Sequence, residues 1–229
     1  MRSGPGTSGA NFFVSCNSAA ILTTDNMAKI SALFWDVGGV LLTNAWDRTQ
    51  REMALAKFKL DPAEFQDRHE MVISSFERGK ITLDEYLDRT IFYRPRSFTR
   101  EEFCRQMYSL SEANTDALEL AKTLAKSGRY QMATINNESR ELNHYRIQNF
   151  GLREIFSSFI SSCFVGLRKP EVGIYRLALE VTQNPPEQCC FIDDRSINLE
   201  AAARLGMHTI QMKDAVQLGQ ELNKLGVTW

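Results

Sequence analysis

Nothing in this chain is in large excess, and its shortages exclude several classes of protein. No run approaches the roughly 20 apolar residues that cross a bilayer. Lys plus Arg number 27 against 28 Asp plus Glu, a net charge of −1. That balance offers no basic footprint for nucleic acid and no acidic tail, so neither nucleic acid nor membrane is expected as a partner. The five cysteines, Cys16, Cys104, Cys163, Cys189 and Cys190, are an odd number without metal-ligand spacing. Adjacent Cys189 and Cys190 lie in an apolar run, where cysteine packs as a small core residue. Reduced thiols and a cytoplasmic location are therefore expected. His69, His144 and His208 form no H-x-x-x-H or related pattern, which removes a histidine-held zinc. Gly38-Gly39 stands in neither G-x-G-x-x-G nor G-x-x-x-x-G-K, so the common nucleotide-binding loops are missing as well.

What is present suits one core domain with a smaller appendage: 229 residues, 43% of them hydrophobic. Residues 1–26 are rich in Ser, Gly, Asn and Thr, and Ser15-Cys16-Asn17-Ser18 interrupts their apolar content. This is a poor secretory signal, and a flexible extension is expected there. Beyond it, short apolar runs at 30–35, 130–136, 158–163, 189–192 and 207–212 read as strands. Helical patterns at 115–127, 139–150, 170–182, 197–205 and 214–225 separate or follow them. Such alternation predicts an α/β fold, a Rossmann-like parallel sheet covered by helices, over residues 27–43 and 113–229. Ligands of such sheets sit outside the carboxyl ends of the strands. Asp36, Asn136, Asp193 and Asp194 all fall there.

Residues 44–112 break the alternation. The stretch is too long for a loop and carries helical periodicity at 47–58, 61–76, 82–90 and 99–108. Asp61-Pro62 and Thr99-x-x-Glu102 supply helix-start signals. A small α-helical subdomain inserted directly after the first strand is expected.

Three features carry chemistry. Asp36 follows a buried strand and precedes two glycines, which leaves its carboxylate open to a ligand. Lys169, just before Pro170, is placed to neutralise a carboxylate and an incoming anion together. Asp193-Asp194 closes an apolar strand, and two adjacent acids repel unless a cation or donors compensate them. A hard divalent ion held by oxygen suits that pair, and magnesium needs only one or two carboxylates.

The order Asp36, Asn136-Asn137, Lys169-Pro170, Asp193-Asp194 with Asn198 resembles the four motifs of the haloacid-dehalogenase-like superfamily. The resemblance covers nearly the whole chain from Met27. Phe76-Glu77-Arg78-Gly79-Lys80-Ile81, in the helical insertion, is similar to the helical-cap branch. The resemblance implies a hydrolase with Asp36 as covalent nucleophile, forming an aspartyl intermediate. It further implies Mg2+ held by Asp36, the Gly38 carbonyl and Asp194, with Asp193 in or behind that shell. Asn136, Asn137, Lys169 and the Gly38-Gly39 backbone would hold the phosphate, and the insertion would close over the site as a cap.

Two positions depart from the family pattern. Asn136 stands where Ser or Thr is usual, with a register on Thr134 as the alternative. Gly38 stands where most family phosphatases have a second Asp, the general acid–base. Glu77, His69 and Asp47 are unranked candidates to replace it. A phosphatase for a small phosphorylated metabolite, such as a sugar phosphate, is the expected function. The rivals are a carbon–halogen hydrolase, which also lacks the second Asp, and a non-catalytic protein binding a phosphorylated ligand. The sequence leaves the oligomeric state open.

Overall fold

A computed structural model describes residues 29–229 together with Met1 and Gly4. The expected extension over 1–26, with Cys16, lies outside the described residues. The elements in chain order begin with β1 (Ala32–Trp35), α1 (Arg48–Lys57), α2 (Pro62–Glu77), α3 (Leu83–Thr90), α4 (Arg100–Ser109) and α5 (Thr115–Lys126). They continue with β2 (Gln131–Asn136), α6 (Arg140–Asn149), β3 (Ser158–Ser161), α7 (Ser162–Val165) and α8 (Val172–Thr182). The last are β4 (Cys189–Asp193), α9 (Ser196–Ala203), β5 (His208–Gln211) and α10 (Ala215–Lys224). No helix among the described residues is long and apolar enough to cross a membrane.

The strands form one sheet in the order β3-β2-β1-β4-β5, every pair parallel. Each central strand is buried on both faces, so its residues read as an unbroken apolar run, and period-2 alternation sorts them between two layers. Leu33 and Trp35 pack with Ala117, Leu118 and Ala121 of α5 and Leu218 of α10. Ala32 and Phe34 pack on the opposite side with Ile174 and Tyr175 of α8 and Ala202 of α9. This is the expected α/β fold. β1, β2, β3 and β5 are one or two residues shorter than their apolar runs predict, and β3 shows why. β3 ends at Ser161, opposite the last residue of β2, and Ser162 turns away to donate to the Glu77 carbonyl at 2.6 Å.

Helices α1–α4 share a hydrophobic cluster built on Trp46, Phe65, Phe76, Tyr86 and Phe103, which Leu142 of α6 joins. Phe76 and Tyr86 stack at 4.1 Å, and Trp46 meets Phe103 edge-on. Asp61 caps α2 ahead of Pro62, and capping boxes start both α3 and α4. The Thr82–Glu85 box had the same sequence signature as Thr99–Glu102. The end of α2 is fastened to the sheet domain. Arg78 donates to the Gly166 carbonyl at 2.8 Å and pairs with Glu171. Gly79, at φ +65°, lies so close to the Cys163 carbonyl that a Cβ would collide with it. These contacts hold Glu77 and Phe76 over the carboxyl ends of the strands.

Candidate active site

β1 is the middle strand, so whatever follows Trp35 emerges between the ends of β2 and β4. Trp35 pairs with Thr134 on one side and Ile192 on the other. Thr134 is thereby locked inside the ladder and fully buried, away from the carboxyl edge. Asp36 continues the strand, its N–H donating to the Ile192 carbonyl at 2.8 Å. Its Oδ1 accepts from the Val37 N–H at 2.8 Å, and the 37–42 turn closes where Gly39 N–H meets the Leu42 carbonyl at 2.7 Å.

Lys169 binds this carboxylate to the next strand. Its Nζ lies 2.8 Å from Asp36 Oδ2 and 2.6 Å from Asp193 Oδ2, with the side chain 2% exposed. Asn137 fixes the lysine backbone from both sides, accepting from its N–H at 2.8 Å and donating to its carbonyl at 2.9 Å. Burial works against the charge of Lys169, but Asp36 and Asp193 outweigh it and hold the ammonium above its ordinary range. Asp36 is pushed up to about 7, because burial and the neighbouring Asp193 and Asp194 oppose its charge more than Lys169 favours it.

The two adjacent acids divide their work. Asp193 is fully buried and saturated: Lys169, the Arg195 N–H and Asn198 all donate to it. Asp194 receives one bond, from Asn44 at 3.3 Å to Oδ2. Its buried Oδ1 has no protein partner, and burial raises its carboxyl above the ordinary range. Oxygens of Asp36, Asp193 and Asp194 lie within 4.8 Å of one another. One lysine does not balance three carboxylates, and an orphaned carboxylate oxygen among them is the donor set a hard divalent cation takes. Magnesium therefore fits these residues. Gly39 makes the arrangement possible, since at φ +75° any Cβ would run into the Asp194 carboxylate. Gly39→Ala is expected to cost about 1–3 kcal/mol, which thermal unfolding would show as a loss of at least ~2 °C.

A cavity of about 350 Å3 opens above Asp36, bounded by Gly38, Asn137 and Lys169 from the strand ends and by Trp46, Arg51 and Glu77 from the helices. Not every expected residue reaches it. The Asn136 amide is spent inside the fold, donating to Asn143 at 3.0 Å and accepting from Ser161 at 2.7 Å. The three candidates for the missing acid separate. His69 is buried, bonded to Tyr86 at 2.7 Å, and held down to about 4 by burial and Arg51. Asp47 also lines the cavity, where it caps α1 and pairs with Arg195 at 2.9 Å. Glu77 lines the cavity with Arg168 at 2.5 Å, and burial raises its carboxyl. Sequence reasoning missed Asn44, Glu138 and Arg146, which also line the cavity. Only a polar residue buried on the inner face of α6 marks Arg146, and periodicity does not reveal that.

Comparison with known proteins agrees with this architecture. A family model described as haloacid dehalogenase-like hydrolase matches residues 30–206. Bifunctional epoxide hydrolase 2 of Sus scrofa is 27% identical over 87% of the chain, which spans only 39% of that relative's length. Flavin mononucleotide hydrolase 1 of Arabidopsis thaliana is 31% identical over 70% of the chain and 64% of its own length. A HAD family enzyme of Bacteroides thetaiotaomicron, solved with magnesium and inorganic phosphate, superposes with a TM-score of 0.67. It is 24% identical and is covered over 94% of its length by 80% of this chain.

Proposed function

Since the chain belongs to the haloacid dehalogenase-like hydrolase family, we propose that it is a magnesium-dependent phosphatase working through an aspartyl-phosphate on Asp36. The observation that carries the reading is the orphaned Asp194 Oδ1 beside the Lys169-bridged Asp36 and Asp193. Asp36, Asp194 and the Gly38 carbonyl would hold the ion, and Asp193 would position Lys169. When bound, magnesium supplies neutralisation of charge on the transferring phosphate.

The chain's own residues do the rest. Asp36 presents a fixed oxygen at the cavity floor, attacks phosphorus and releases the alcohol; water then hydrolyses the acyl phosphate. Lys169 holds the nucleophile in place, since its Nζ reaches Asp36 without exposure to solvent. Asn137 supports it through the backbone, and the Gly38-Gly39 turn brings main chain close to the phosphate. Helices α1–α4, over residues 44–112, act as the cap: Trp46, Arg51 and Glu77 form the wall that chooses the leaving group. A polar wall of this size suits a small phosphorylated metabolite such as a sugar phosphate. The four free thiols among the described residues, three of them buried, fit a reducing cytoplasm.

Phosphate release from a metabolite panel with magnesium tests the reading. Flavin mononucleotide belongs in the panel because the Arabidopsis relative is named for it. Turnover that disappears in chelator is expected. A carbon–halogen hydrolase is the second reading, favoured by the missing side chain at Gly38. Halide release from a 2-haloacid in chelator, with no phosphate release in magnesium, would establish it instead.

A further inference from the structure

Gly38 itself supplies no acid on the leaving-group side of Asp36, yet the space beside it is not empty. A Cβ built on Gly38 would sit 2.8 Å from Asn44 Oδ1 and 3.6 Å from Arg146 Nη1. Arg146 comes from α6 and is 2% exposed. Its Nη1 donates to Glu138 Oε2 at 3.2 Å and its Nη2 to the Thr43 carbonyl. Its Nε is buried and has no partner among the described residues. Glu138 is itself buried, anchored by the Ser139 N–H at 2.9 Å, and lines the same cavity.

A structural tie between α6 and the turn after β1 accounts for the two bonds Arg146 makes. It does not account for the rest. A guanidinium carries five N–H donors, and one left unpaired in a buried wall costs about 1–3 kcal/mol. The donor nearest the reaction is Nη1, which lies beside Gly38 with one of its two hydrogens given to Glu138 and the other left for an acceptor that arrives with the substrate.

We propose that Arg146, oriented by Glu138 and the Thr43 carbonyl, donates to the ester oxygen of the substrate as the leaving group departs, in place of the side chain absent at Gly38. The inference rests on the phosphatase reading and deepens it. As Asp36 forms its bond to phosphorus, the P–O bond to the leaving group breaks and its electron pair stays on that oxygen. Arginine remains protonated at neutral pH, so it stabilises this oxygen by hydrogen bonding and the proton comes from water. Glu138 is a positioning residue; burial pushes its carboxyl up to about 7 against the pull of Arg146. The substrate class follows from the chemistry. Phosphates with an acidic leaving group, such as aryl, enol or anomeric esters and acyl phosphates, are favoured over phosphates of simple alcohols.

The test compares p-nitrophenyl phosphate with phenyl phosphate, in magnesium, for the full chain and for Arg146→Ala, Arg146→Lys and Glu138→Gln. Loss of one such donor costs about a hundredfold where charge builds up on the oxygen. Arg146→Ala is therefore expected to lose about 100-fold in kcat on phenyl phosphate and less than about 10-fold on p-nitrophenyl phosphate, whose leaving group needs little help. Added guanidinium ion is expected to restore part of the phenyl phosphate rate, and Arg146→Lys and Glu138→Gln to fall between wild type and Arg146→Ala. The ratio of the two rates within one variant does not depend on how much of it is folded, so a folding defect cannot imitate the result. Equal losses on both substrates, or a loss confined to KM, would overturn the role of Arg146 alone. Failure of wild type to release phosphate from either substrate would overturn the phosphatase reading and this inference with it.

Discussion

Asp36→Asn is expected to lower turnover by at least about 10^4-fold, because the amide cannot form the covalent bond that divides the reaction into two steps. The same substitution is expected to stabilise the metal-free protein above neutral pH. Asp36 sits with Asp193 and Asp194 around a single lysine, and its carboxyl is pushed up to about 7, chiefly by burial. The sign follows from that direction. A carboxyl raised above its unfolded value favours the folded state below about pH 4, and this advantage is lost as pH rises through about 7. At pH 8 the wild-type chain carries the full cost of the buried charge, and the asparagine variant does not. A gain of about 1 kcal/mol would raise Tm by roughly 2–4 °C. Thermal unfolding in chelator at pH 5 and pH 8 checks it, with the difference between the proteins expected at pH 8. A variant that loses both activity and stability at pH 8 would mean that Asp36 is chiefly structural.

Lys169→Met is expected to damage both. The ammonium is the one side-chain cation in contact with Asp36 and Asp193 among the described residues. Removing it leaves buried carboxylates uncompensated, at about 3–5 kcal/mol, or roughly 6–20 °C in Tm. Turnover should fall by about a thousandfold or more as the nucleophile loses its fixed position and the phosphate loses a positive charge. The two effects can be separated. In Lys169→Met/Asp193→Asn only Asp36 is left as a carboxylate without the lysine, so part of the stability should return while activity stays lost. Recovery of both together would show that the lysine acts only on folding. Unfolding curves and phosphate release on the same preparations provide the comparison.

Much of this site was readable from strand ends. An apolar run stopped by Asp36, and another stopped by Asp193-Asp194, place both at the carboxyl edge of a parallel sheet whatever the details of packing. Lys169 was readable as well, since a buried acid cluster needs a cation and the lysine before Pro170 was the available one. Residue identity and strand position, however, do not say which way a side chain turns. Asn136 ends β2 as expected, yet its amide is taken by Asn143 and Ser161, so the cavity receives Asn137 instead. The adjacent aspartates differ only through what donates to them: Asp193 is saturated, and Asp194 keeps one oxygen free. Glu138 and Arg146 lie eight positions apart on a polar segment. Nothing in helical periodicity marks a buried pair there, because their burial comes from the 37–44 turn folding over α6.

The central claim is that Asp36 carries the phosphoryl group. Turnover of p-nitrophenyl phosphate in magnesium can be quenched in acid and reduced with borohydride, which converts an aspartyl phosphate to homoserine. Trypsin then releases the peptide between Lys29 and Arg48, which holds Asp36, for mass spectrometry. Homoserine at position 36, present only with both substrate and magnesium, is the expected result. Steady turnover with position 36 unmodified, or with the modification on another carboxylate, would contradict the account.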